Sequence, residues 1–172
     1  MSKRVSLYVL LLVTVGVLLS HLSVRQKDNG YLLVVTEREV DVLGMAHEKW
    51  VRMTRQCDNV SKLDAVSTQH QKILQTIQAY SPPHSGSANV VNLLTTDTWA
   101  LAEVEFKELL PAVVLLQLSD GQPTIVSQAI WSGMTRPWLA APHIRAYLFK
   151  QAPQVPHALL DCFDPQSTSF RH

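Results

Sequence analysis

The sequence predicts an α+β domain behind an N-terminal transmembrane helix, on three observations. All 20 residues from 5 to 24 are uncharged, and most are apolar. As a helix rising about 1.5 Å per residue they reach about 30 Å, the thickness of a bilayer core. Proline is absent before Pro82 and all nine prolines lie from there onward, so long helices fit only the first half. The hydrophobic period changes at the same place, from spacings of three and four to short apolar runs. The predicted order is membrane helix, two helices, a four-stranded antiparallel meander and a short C-terminal helix. It divides into a membrane anchor at 1–24, a juxtamembrane linker at 25–36, an extracytoplasmic α+β domain at 37–164 and a frayed tail at 165–172. At 172 residues and 47% apolar content this is one domain, and its hydrophobicity excludes disorder for most of the chain.

Lys3 and Arg4 precede the apolar run, a bias that keeps the N-terminus in the cytoplasm and sends the rest across the inner (plasma) membrane into the periplasm. The run is longer than a signal peptide's core, and neither 18–20 nor 21–23 makes a good small-x-small exit. An uncleaved single-pass anchor is therefore the first reading and a secreted, cleaved form the second. Cys57 and Cys162 are the only cysteines. In an oxidising compartment they can pair, closing a loop of about 106 residues, or stay as two separate buried thiols. Removing Lys3 and Arg4 from the 15 basic residues leaves 13 against 14 acidic ones, which gives nucleic acid no electrostatic footprint.

Thr36 and Glu39 have capping-box spacing, and Val40, Leu43, His47, Trp50, Thr54 and Cys57 fall on one stripe, predicting a helix over 37–56. Ser61 caps a second, over 62–80, with Leu63, Val66, His70, Ile73, Ile77 and Tyr80 on its apolar face. Strands are predicted at 90–94, 98–106, 112–118 and 124–131, the last two joined by a hairpin turn at Asp120-Gly121. In 98–106, Trp99, Leu101, Glu103 and Glu105 share one face and Ala100, Ala102, Val104 and Phe106 the other. A helix from Pro142 to about Lys150 and a further turn at 157–163 complete the order.

This order of elements resembles the nuclear-transport-factor-two-like and cystatin-like domains, and, with one preceding membrane helix, the inner-membrane scaffold subunits of type IV secretion and conjugation systems. The resemblance covers about 37–150, is one of element order and carries no residue role across. It implies a helix packed into a curved antiparallel sheet, and a non-enzymatic component of a cell-envelope complex that binds other envelope proteins.

No catalytic constellation, cofactor motif or metal-ligand spacing stands out. Glu103 and Glu105 are a close acidic pair, about 6.5–7 Å apart along a strand; they read as a solvated sheet face, or, with Trp99 and His70, as the lining of a ligand or hydrolase pocket between helices and sheet. His47 and His70 lie on apolar stripes of neighbouring helices and read as core or boundary histidines, or as a facing pair. The loop 132–138 carries Met134, Arg136 and Trp138, residue types enriched at protein interfaces. Trp138 either lids the core or faces a partner. Three functions follow: a membrane-held interaction component, with self-association left open; a small ligand-binding domain or hydrolase; and a secreted inhibitor or immunity-type protein.

Overall fold

Two antiparallel sheets and four helices build the part of the chain that the computed structural model describes, residues 22–170, together with Tyr8 and Val13. The first sheet has the order β1-β2-β3, from β1 (Leu22–Lys27), β2 (Gly30–Val35) and β3 (Arg38–Val40). Helix α1 (Val42–Thr54) follows. The second sheet has the order β4-β5-β6-β7-β8, from β4 (Ser61–Lys62), β5 (Asn89–Thr95), β6 (Trp99–Glu105), β7 (Ala112–Ser119) and β8 (Gln122–Ser132). Helix α2 (Thr68–Gln78) precedes β5, and α3 (Ala140–Gln151) and α4 (His157–Asp161) follow β8.

Alternation along the strands divides the core in two. Trp99, Leu101, Val113 and Leu115 pack against Ile144 and Leu148 of α3 and Leu159 of α4. Ala100, Ala102, Val104, Val114 and Leu116 face the other way, onto Ile73 and Ile77 of α2. The large sheet thus lies between α2 on one side and α3 with α4 on the other. Helix α1 packs on α3. Asp120 and Gly121 both have positive φ, +53° and +70°, the backbone of the expected two-residue hairpin.

The predicted α+β class and antiparallel meander are present, with corrections. Residues 22–24, assigned to the membrane helix, are strand, and so are most of the predicted linker residues 25–36. The remainder of the predicted anchor, apart from Tyr8 and Val13, lies outside the described residues. Among the described residues no helix is long and apolar enough to cross a membrane. The helix predicted over 37–56 starts at Val42 because Thr36 and Glu37 take positive φ, +47° and +70°, and turn β2 back into β3. Asp41, not Thr36, caps α1, accepting from the Gly44 N–H at 2.7 Å. Ser67, not Ser61, caps α2; Ser61 and Lys62 pair with Thr95 and Leu94, making five strands of the predicted four. Residues 165–170 of the predicted frayed tail pack on the sheet, with Ser167 and Phe170 buried.

The end of α1 is joined to the end of α4 by a disulfide, Cys57–Cys162, with Cα atoms 5.9 Å apart. Beside it, the Arg145 guanidinium of α3 donates to Glu48 of α1 at 2.6 Å and to the Phe163 carbonyl at 2.5 Å. Arg52 donates to the other Glu48 oxygen at 2.7 Å, and Arg52 and Arg55 both reach Asp164. This polar seam is paired almost throughout, as burial demands.

Candidate functional site

Trp138 organises the most articulated surface of the molecule. The preceding loop is tied to α1 through one carboxylate: Asp41 accepts from the Leu139 N–H at 3.0 Å while its other oxygen caps the helix. The Trp138 ring lies against Gly30, where a Cβ atom would meet it at 3.7 Å. It is nearly parallel to the His143 ring, 6.2 Å between centroids. His143 in turn meets Trp131 edge-on at 4.9 Å, and Trp131 meets Tyr147 at 5.2 Å. Burial holds the His143 pKa below its ordinary value, and the Asp41 charge opposes that shift.

Trp138 lines two grooves. The larger, of about 660 Å³, has Met45, Trp138 and Val40 as apolar lining and Arg25, Arg38 and Arg136 among its charged groups. Its wall includes the consecutive residues 37–41, which contain β3. Among the described residues that strand pairs with β2 alone, at the edge of its sheet. Glu39 holds Arg25 at 2.8 Å and Lys27 at 2.6 Å. The Lys27 hydrogen bond above all keeps its carboxyl below the usual range. The smaller groove, of about 300 Å³, is lined by Tyr31, Leu43, His47, Trp138 and His143. Of the three loop residues singled out from sequence, Arg136 and Trp138 line the larger groove; Met134 is exposed and is not part of its lining.

The other candidates are dispersed. Glu103 and Trp99 lie on the sheet face covered by α3 and α4, whereas His70 is on α2, across the sheet. Glu103 is fully buried. Its two oxygens accept the backbone N–H groups of Gln166 (2.8 Å) and Ser167 (2.7 Å), and the Ser167 hydroxyl donates to Glu105 at 2.6 Å. Burial raises the Glu103 pKa, and those two N–H bonds offset part of the shift. The expected solvated face is therefore covered by the C-terminal segment, and the pair serves as its fastening. His47 and His70 do not face each other, since α1 and α2 occupy opposite sides of the large sheet. His21 and His172 lie outside the described residues. Among the described residues no group of three His, Cys, Asp or Glu is placed to hold a metal ion.

A third cavity, of about 420 Å³, opens between the end of α2 and the sheet, with Ile77, Tyr80, Phe106, Leu109, Leu110 and Ile130 in its lining. None of Trp99, Glu103, Glu105 and His70 lines any of these three sites. The contributions of Asp41, Met45 and β3 to the Trp138 groove had no signal in sequence, because they meet the loop only through tertiary packing. No protein-family model, no curated protein and no solved structure matches this chain.

Proposed function

We propose that this chain is a membrane-anchored, extracytoplasmic protein-interaction component of a cell-envelope complex. Residues 5–21 hold it in the inner membrane with the N-terminus cytoplasmic, and an extended segment of a partner protein docks in the groove beside Trp138. The observation that carries the reading is the coincidence of a strand edge, β3, that is unpaired among the described residues, with an aromatic and methionine lining and the exposed Arg136. Extended segments bind such edges through main-chain hydrogen bonds, while side-chain pockets give selectivity. The Cys57–Cys162 bridge supports an oxidising compartment. Tyr8 and Val13 are helical, which agrees with the anchor. A scaffold role in a secretion or conjugation apparatus is the specific version that the element order suggests.

A photo-crosslinking amino acid at Arg136, introduced in the full chain in native membranes, tests the groove. The expected result is a discrete protein adduct that Met45→Asp abolishes and that the same probe at Val66, 91% exposed, does not form. Equal labelling at both positions removes the reading.

The 420 Å³ apolar cavity favours a second reading, a small apolar ligand held between α2 and the sheet. Ile130→Trp fills that cavity; loss of ligand-induced thermal stabilisation by medium-chain fatty acids in this variant supports the reading, and no stabilisation of the parent chain ends it.

A further inference from the structure

The three-stranded sheet wears its apolar side outward. Cα pairing places Leu22 opposite Val35, Val24 opposite Leu33 and Gln26 opposite Tyr31, and residues paired in this way share a face. On β3 this face is completed by Val40, opposite Leu33, and by the exposed Arg38, opposite Val35; the other face carries the buried Leu32 and Val34 together with Arg25, Lys27 and Glu39. In water the common arrangement of a one-sided antiparallel sheet is polar outward. Along β1 both faces are exposed: Ser23, Arg25 and Lys27 share the face of Leu32 and Val34, while on the apolar face Val24 is 69% and Tyr31 of β2 52% exposed.

We propose that this outer face, Leu22, Val24, Tyr31, Leu33 and Val35, rests in the headgroup and upper acyl layer of the bilayer. The proposal rests on the anchor reading and deepens it. Residues 5–21 hold no charged side chain, and β1 begins at the next residue, Leu22. As a helix those residues reach about 25 Å, short of the roughly 30 Å of hydrocarbon. The deficit places the start of β1 at the lipid boundary and brings the sheet with it. A tyrosine is well suited to that depth, where its ring is apolar and its hydroxyl wet. A second copy of the chain is a weaker occupant. Strands of six, six and three residues present about 240 Å² on one face, from strand rise and spacing. A stable protein interface needs about 800 Å² per partner.

Spin labels on Val24→Cys, Tyr31→Cys and Val35→Cys, with Val66→Cys as the solvent reference, test this in the full chain. The vesicles are phosphatidylethanolamine and phosphatidylglycerol, and non-reducing gel mobility verifies the native disulfide. The expected result is oxygen accessibility above that of a nickel chelate at 24, 31 and 35, inverted at 66. Chelate accessibility at all four positions in protein that resists alkaline carbonate extraction overturns the proposal and leaves the anchor standing. Extraction of the chain by carbonate overturns both. Spin–spin broadening at 24 that disappears on dilution with unlabelled chain assigns the face to a second copy and likewise overturns the proposal.

Discussion

The Ser167 N–H donates to a carboxylate oxygen of Glu103 at 2.7 Å, across 64 positions of sequence. With the Gln166 N–H on the other oxygen, it fastens the last described segment of the chain to the middle strand of the five-stranded sheet. Glu103→Ala leaves both N–H groups without that acceptor. Each orphaned buried donor costs about 1–3 kcal/mol, so the variant should lose about 2–6 kcal/mol in urea unfolding of the full chain in detergent. Hydrogen exchange should accelerate first at Gln166 and Ser167. Unchanged protection at these two amides would refute the fastening.

Glu103 also predicts a pH dependence. Burial raises its folded pKa above the ordinary 4.5, so the folded state binds this proton more tightly than the unfolded one. Its contribution to stability is therefore greatest below 4.5 and falls as pH rises through the folded pKa. Plotted against pH, the urea midpoint of Glu103→Gln should lack that component. A profile parallel to the parent's contradicts the assignment.

Glu48 and Arg145 join α1 to α3 inside the polar seam, both almost completely buried. Removing one partner of a fully buried pair costs about 3–5 kcal/mol; Glu48 keeps its bond to Arg52, so the loss here is at or below the lower end of that range. Arg145→Leu should therefore destabilise by that amount, and Glu48→Leu combined with Arg145→Leu should recover part of it, a coupling read from the double-mutant cycle. Additive losses would mean that the two side chains act independently.

The legibility of the chain follows the range of the interactions. Strands β5 to β8 stand out in sequence because their period-two faces and the Asp120-Gly121 turn are local signals. The sheet of residues 22–40 does not, for two reasons. Its β2–β3 turn is Thr36-Glu37, with neither glycine nor asparagine to mark positive φ, and Thr36 and Glu39 imitate a capping box, whereas the helix is capped by Asp41. The face of Glu103 can be read from alternation, yet its burial cannot. The segment that covers it, Asp-Pro-Gln-Ser-Thr-Ser over 164–169, has the composition of a loose tail and is held by N–H groups that no residue pattern announces. The Trp138 groove is legible in part. Arg136 and Trp138 are conspicuous by residue type, whereas β3 and Met45 reach them only when α1 is anchored by Asp41.

The disulfide makes the last prediction. Only Glu48 and Val51 of α1 are buried, so this helix contributes little apolar area of its own and depends on its ties to α3, α4 and Asp164. Cys57 and Cys162 are 105 positions apart, and opening a loop of that size costs about 2–5 kcal/mol. In the chain carrying Cys57→Ala and Cys162→Ala, the remaining ties include the ion pairs of Arg52 and Arg55 with Asp164, which are partly exposed. Such pairs weaken as salt rises. The bridge-free chain should therefore lose its midpoint by that amount and lose more at high ionic strength than the parent does, with amide exchange in α1 rising before exchange in β6. Equal salt sensitivity of the two chains would show that the carboxylate of Asp164 does not hold α1 once the bridge is gone.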